Sequence, residues 1–467
     1  MAAIQRTDPN IVSHFPLVLG AALFVLLLLL PPPGGLPPAA WHTVAVAALM
    51  AVWWIGEAVP LPVTALLPIL LFPLLGIADL KEAAAPFAHP VVYLFLGGFL
   101  LGAAITSSGL HARIATAILH RTGTGSRRLV AGFLLAGALP SMWISNTASA
   151  IMLLPVAQSV LDGAPVRLRK ALLLSVAYGC SIGGLATLIG TPPNAMLAAF
   201  LDQSYGTPLG FAKWLAIGLP IMLAMLVLAW LVLTRFAFGP LEELEADALP
   251  HPGPMTAREK RIAVVLAIAA LAWIFRPTIS SFLPAISDTA IALAAGLALF
   301  VVPAGSEKRA LLNWDEARAI RWGILVLFGG GLSLANAISG SGLAEALAGT
   351  LSAAVGYLPD EAAPGLSAAI VLFATELASN TASAAAFLPI TAELAEALGL
   401  PLLAMLAPVT LAASCAFMMP VATPPNAIVF GAGGLRVADM ARAGLWMNAG
   451  AVMLLTALGW ILIRAGI

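Results

Sequence analysis

An all-α polytopic membrane protein is the fold class this sequence predicts, and three observations predict it. Of 467 residues, 61% are hydrophobic and only 9% are charged, where an ordinary soluble domain carries about 25% charged residues. The mean hydropathy is +1.00, more apolar surface than a soluble chain of this size can hide. The apolar residues gather in long segments bounded by charge or by Pro/Gly clusters, so segment length and interruption carry more information than periodicity. Lys+Arg and Asp+Glu number 22 each, a net charge of zero. Nothing in that balance points to nucleic acid or to an acidic partner.

The first apolar segment, 14–30, opens the stretch "HFPLVLGAALFVLLLLLPPPGGLPPAA". It has the outline of a signal peptide with a small-residue cleavage site, but its run is long enough to span, and we read it as a retained first helix. Segments 39–57, 60–77, 89–110, 129–161, 168–201 and 212–236 follow. A polar linker occupies 237–259, and then come 260–276, 284–303, 321–343, 363–395, 398–432 and 441–466. The Gly-rich segments 89–110 and 321–343 are the weakest spans, each with small polar residues at one end (Thr106, Ser107, Ser108; Ser339, Ser341). They read as parts of re-entrant hairpins, which a bilayer tolerates only when buried in protein or lining a cavity. The alternative is an ordinary Gly-rich packed span. The hairpin reading leaves about 11 transmembrane helices plus two re-entrant hairpins.

The halves repeat. "SNTASAIMLLP" (Ser145–Pro155) matches "SNTASAAAFLP" (Ser379–Pro389), and "GTPPNAML" (Gly190–Leu197) matches "ATPPNAIV" (Ala422–Val429). "FLGGFLLGAAITSSGL" (Phe95–Leu110) is similar to "FGGGLSLANAISGSGL" (Phe328–Leu343). The three blocks keep one spacing to within a residue or so, which marks a duplication. The expected organisation is an N-terminal segment with the first helix (1–38), repeat one (39–236), the linker (237–259) and repeat two (260–467). An odd number of crossings separates equivalent points, so the second copy is expected to be inverted. Inverted repeats place a transporter's site at their interface near the midplane. More Lys and Arg fall inside when the N-terminus is cytoplasmic, although Arg113, Arg121, Arg127 and Arg128 then lie outside.

Other chemistries leave no trace. Cys180 and Cys415 lie in apolar segments, the six histidines form no ligand-spaced cluster, and no HExxH, Walker-type or GxSxG element occurs. An enzyme is therefore not expected.

The polar motifs interrupt their segments. Ser and Asn compete for helical hydrogen bonds in the middle of 129–161 and 363–395, and the chain is expected to break there. A break frees N–H groups at the start of the second half, which suit an anion, and C=O groups at the end of the first, which suit a cation. Pro192–Pro193 and Pro424–Pro425 break their segments more firmly and free carbonyls near Gly190 and Ala422. Each repeat thus offers hydroxyls (Ser141, Ser145; Thr375, Ser379), an amide oxygen (Asn146; Asn380) and freed carbonyls. That all-oxygen set suits a hard monovalent cation such as sodium; interhelical adhesion is the ordinary role of any single hydroxyl. Every Arg and Lys sits at a segment end or in a loop. An anionic substrate is therefore expected to be held by Asn, Thr, backbone N–H and bound cations. Two acids are embedded: Glu376, beside the second SNT, and Glu57, at a segment end. Glu376 is a participant in coupling or a partner of nearby backbone.

With "SNTASA" twice, "GTPPNA" and "ATPPNAIVFG" in this order, nearly the whole chain resembles the divalent anion/sodium symporter family. That family includes bacterial dicarboxylate transporters and animal di- and tricarboxylate and sulfate carriers. The resemblance implies a homodimer in the bacterial inner (plasma) membrane, in contact with lipid. It also implies a scaffold domain and a transport domain that moves as an elevator. It places one sodium at Ser141, Ser145, Asn146 and Gly190, and a second at Thr375, Ala378, Asn380 and Ala422. It places a small dianionic carboxylate on Asn146, Thr147, Asn380, Thr381, Thr423 and Pro424. The expected activity is sodium-coupled uptake of C4-dicarboxylates such as succinate, malate or fumarate. Sulfate or tricarboxylate symport, cation-independent or proton-coupled exchange, and an anion channel are the alternatives.

Overall fold

The computed structural model describes residues 14–123, 125–161, 164–242, 253–305, 308–343 and 360–467. Helix α1 (His14–Leu29) packs on α2 (Pro38–Ile55). Two indoles tie the pair: Trp41 Nε1 donates to the Leu27 carbonyl at 2.8 Å and Trp53 Nε1 to that of Leu17 at 3.2 Å. Three short helices follow, α3 (Leu61–Thr64), α4 (Leu67–Leu74) and α5 (Leu80–Ala84). Next come α6 (Pro90–Ser108) and the amphipathic α7 (Leu110–Thr122). Their junction is Gly109, whose φ of 77° is left-handed and suits glycine.

The chain continues through α8 (Ser126–Ser141), α9 (Asn146–Leu161), α10 (Val166–Gly183), α11 (Pro192–Tyr205) and α12 (Phe211–Leu231). Helix α13 (Ala257–Ile274) starts from a Thr256/Glu259 capping box, and α14 (Arg276–Ile279) and α15 (Asp288–Val301) follow it. The second half holds α16 (Trp314–Arg318), α17 (Trp322–Gly340), α18 (Ala363–Thr375), α19 (Asn380–Ala397), α20 (Leu402–Ala412), α21 (Pro424–Gly431) and α22 (Val437–Ala465). Residues 243–252 of the polar linker expected at 237–259 lie outside the described residues.

The re-entrant hairpins are not where the Gly-rich segments suggested. Helices α6 and α17 are each continuous over 19 residues, and both belong to stretches long and apolar enough to cross a bilayer. Their glycines serve close packing instead. A Cβ on Gly97 would lie 2.5 Å from the Ala292 backbone, and one on Gly330 would lie 2.2 Å from the Ala65 carbonyl oxygen.

The hairpins are the two SNT segments. Helices α8 and α9 have 16 residues each, or about 24 Å, short of a hydrocarbon core about 30 Å thick. Gly179 of α10 packs on the Leu134 backbone of α8, and Gly183 packs on Ala138, so α8 and α10 run parallel. Helix α9 joins α10 through residues 162–165 and packs along it, which makes α9 antiparallel to α8. The chain therefore reverses at 142–145. In the second half, Ala363 at the start of α18, Ala395 near the end of α19 and Met405 near the start of α20 share one apolar cluster. The same reversal thus occurs at 376–379.

Packing between the halves is reciprocal. Helix α9 contacts α21 as α19 contacts α11, and α10 contacts α21 as α20 contacts α11. Exchanging each element for its counterpart maps one set of contacts onto the other, as a pseudo-two-fold relation requires.

Candidate functional site

Both hairpin tips are held by one local design. Ser141 Oγ lies 2.8 Å from Asn146 Oδ1 and 2.6 Å from the Cys180 carbonyl oxygen. Thr375 Oγ1 lies 3.1 Å from Asn380 Oδ1 and 2.9 Å from the Ala413 carbonyl oxygen. A single hydroxyl proton serves only one of two acceptors at a time, so lone pairs stay available at each tip.

The segments between α10 and α11 and between α20 and α21 are unwound, and each is pinned by the Asn of its TPPN block. Asn194 Nδ2 donates to the carbonyls of Gly184 (3.0 Å) and Thr187 (2.8 Å). Asn426 Nδ2 donates to those of Ala416 (3.2 Å) and Met419 (3.0 Å). The breaks also touch each other, with Thr191 Oγ1 3.4 Å from Ser414 Oγ.

Tips and breaks surround a cavity of about 880 Å³, within the usual range of small-ligand sites. Of the residues expected at substrate, Asn146, Thr147, Asn380, Thr381, Thr423 and Pro424 all line it. Ser145, Gly190, Ala378 and Ala422 line it too, whereas Ser141 and Thr375 are fully buried behind the tips. At the first break, a Cβ on Gly184 would lie 3.0 Å from both Asn146 Oδ1 and the Gly190 carbonyl oxygen. Two of the oxygens expected to hold a cation therefore converge where a side chain is missing. Among the described residues no group of three or more His, Cys, Asp or Glu is placed to hold a metal. A cation here would be held by hydroxyl, amide and carbonyl oxygens, which suits a hard monovalent ion.

The cavity also collects four helix N-termini. Helices α9 and α19 begin at Asn146 and Asn380, and α11 and α21 begin at Pro192 and Pro424, and all four residues line it. The prolines sit where an N–H has no helical acceptor, so nothing is lost there. Ser379 makes no side-chain cap, which leaves the first N–H groups of α19 free for a ligand. Four positive helix ends around one space favour an anion.

Glu376 does not line the cavity. Its buried carboxylate accepts from the backbone N–H groups of Phe417 (2.8 Å), Met418 (3.0 Å) and Met419 (3.1 Å), and from Asn448 Nδ2 (2.7 Å). It is the partner of the unwound backbone after α20. Repeat one has Met142 at the equivalent position, and there Leu185 and Ala186 donate back into local turns instead.

One side chain at the cavity escaped the reading of the sequence. Arg321 immediately precedes α17, a segment end as expected, yet it lines the cavity, and its Nη2 donates to Thr147 Oγ1 at 2.5 Å. The expectation that an anion here would meet only Asn, Thr, backbone N–H and bound cations therefore omits a guanidinium that lines the same cavity. The physical reason is reach: α17 starts at the cavity wall, and a guanidinium extends well past its own Cα. Nothing in the linear sequence separates Arg321 from its neighbour Arg318, which pairs with Asp315 in solvent.

A membrane transporter is the class that these paired hairpins, paired broken helices and the shared cavity define. Residues 12–465 match the sodium:sulfate symporter family in its transmembrane region, and the chain belongs to that family. It is 36% identical over 468 residues to the sodium-dependent dicarboxylate transporter SdcS of Staphylococcus saprophyticus, covering 95% of this chain and 90% of that one. It is 36% identical over 463 residues to SdcS of Staphylococcus aureus, covering 92% and 88%. The fold is similar to the crystal structure of the Alcanivorax borkumensis YdaH transporter, with a TM-score of 0.65 at 17% identity, covering 92% of this chain and 99% of that one.

Proposed function

We propose that this protein is a sodium-coupled symporter of C4-dicarboxylates such as succinate, malate and fumarate. One observation carries the reading: Asn146–Thr147 and Asn380–Thr381 open two helix N-termini onto the same cavity. Two donor sets, one from each half, fit a small ligand with an acceptor at either end. The names of the staphylococcal relatives support the same substrate class and the same coupling ion. One sodium takes Ser141, Ser145, Asn146 and Gly190; the other takes Thr375, Ala378, Asn380 and Ala422. Substrate takes Asn146, Thr147, Asn380, Thr381, Thr423 and Pro424.

The two repeats are inverted, and the hairpins with their broken helices form a transport domain. That domain moves as an elevator against a scaffold, within a homodimer in the bacterial plasma membrane with a cytoplasmic N-terminus. The reciprocal packing of the SNT and TPPN helices supports the pairing of the halves, for which the proposed bounds are 39–236 and 260–467.

Labelled succinate uptake into proteoliposomes tests the proposal, with sodium, lithium or choline outside. Sodium is expected to be required, and Asn146→Ala and Asn380→Ala are each expected to abolish uptake. Uptake indifferent to sodium would sink the coupling, and full activity in either variant would sink the site.

A further inference from the structure

We propose that Arg321 binds one carboxylate of the substrate, so that the site selects a dianion over its singly charged analogue. The proposal rests on the dicarboxylate reading above. Arg321 Nη2 holds the hydroxyl of Thr147, the residue expected at the substrate. A carboxylate oxygen that accepts from the Thr147 hydroxyl sits within about 3 Å of it, inside the reach of the same guanidinium. A neutral hydroxyl is a weak partner for an arginine. A carboxylate offers two acceptors matched to the planar fork, in bonds about twice as strong as neutral ones. An arriving carboxylate therefore takes Arg321 from Thr147 and frees the hydroxyl to bind the same group.

The charges nearby leave Arg321 available. Glu316 lines the same cavity but is already committed, to Arg258 at 3.1 Å and Arg309 at 2.5 Å. Glu57 also lines the cavity and is exposed. Among the described residues Arg321 has no acidic partner within ion-pair distance, whereas Arg113, Arg276 and Lys170 each have one. Its side is also singular. Helix α6 is the counterpart of α17, and its cap is His89, which faces Asp202 at 3.5 Å and does not line the cavity. One end of the substrate thus meets Thr147 and a guanidinium, and the other meets Thr381 without one.

The test is the KM for succinate at saturating sodium, together with inhibition of succinate uptake by unlabelled succinate and by succinamate, its monoamide. In wild type the monoamide is expected to compete at least about tenfold less well, because an amide cannot replace the ion pair. Arg321→Gln should raise the KM about tenfold, reduce that discrimination by a similar factor and leave the sodium dependence unchanged. Arg321→Lys keeps the charge without the fork and should fall between the two. A monodisperse Arg321→Gln protein with wild-type KM and wild-type discrimination overturns the proposal and leaves the dicarboxylate reading intact. So does a variant whose maximal rate alone falls. A wild-type protein that takes up no succinate overturns the reading and this assignment with it.

Discussion

Ser141 and Thr375 occupy the same place in the two hairpin tips, and each touches an Asn amide oxygen and a carbonyl of the adjoining broken helix. If each helps hold one sodium, removing either hydroxyl weakens cation binding without touching substrate. Ser141→Ala and Thr375→Val should each raise the sodium concentration for half-maximal uptake several-fold. Succinate KM at saturating sodium should change little, so a shift in succinate KM alone would move these residues to the substrate site. Glu376 argues differently. Its oxygens accept from three backbone N–H groups and from Asn448. In Glu376→Gln an amide NH₂ replaces one acceptor and faces donors, at a cost of about 1–3 kcal/mol. The melting temperature should fall while the pH profile of uptake keeps its shape; a displaced profile would revive proton coupling at Glu376. Ser141 and Thr375 were legible because they recur at one spacing in a chain where hydroxyls and amides are conspicuous, and Glu376 because it is an acid in an apolar stretch. Arg321 was not, since reach into a cavity is a property of the folded neighbourhood and leaves no spacing to read.

At the scale of elements, the broken segments were legible and their reversal was not. A long apolar stretch with SNT in its middle describes a straight interrupted helix and a folded-back hairpin equally well. Only tertiary facts separate them, such as Gly183 against Ala138 or Ala363 beside Ala395 and Met405. The glycines of α6 misled because they weaken a span on paper, while in the fold they allow two different approaches. Gly97 meets the backbone of Ala292 in α15, and Gly102 meets the Trp143 carbonyl at the hairpin tip, where a Cβ would stand 3.2 Å away. If the hairpins move against α6, the two positions should respond differently. Gly97→Ala forces a methyl group into the Ala292 backbone and should lower the melting temperature. Gly102→Ala needs a shift of only a few tenths of an ångström and should fold, yet slow uptake. Equal stability losses with normal turnover in the folded fraction would remove the sliding role. Helix α16 adds a pH-dependent tie to the same wall. Burial pushes the Glu316 carboxyl up, but bonds from the Asn313 backbone, Arg309 and Arg258 outweigh it and hold the group below its ordinary 4.5. A carboxylate lowered in the folded state stabilises above its unfolded value, and that contribution is lost as pH falls through the folded one. Between pH 7 and pH 3, wild type should therefore lose more stability than Glu316→Gln, measured as melting temperature in detergent.

Across the whole molecule, the duplication predicts how transport responds to voltage. The tips and breaks of the two halves make matched hydrogen bonds and pack reciprocally, so if each tip holds one sodium as proposed, symmetry supplies two equivalent sets and no third. Two sodium ions balance a dianion, and the loaded carrier then crosses without net charge. A tenfold inward sodium gradient supplies about 1.4 kcal/mol per ion, so two ions support an accumulation of about a hundredfold. Each uncompensated charge responds to 100 mV by about 2.3 kcal/mol. With two ions, imposing −100 mV should leave the steady-state succinate ratio unchanged in proteoliposomes, and the ratio should follow the square of the sodium gradient. A third ion would turn the square into a cube and raise the ratio about fiftyfold at −100 mV. That result would locate a cation outside the repeated motifs, where the duplication provides no counterpart. The ratio measured at two voltages and two gradients thus counts the ions and tests whether the repeated tips are the complete set of coupling sites.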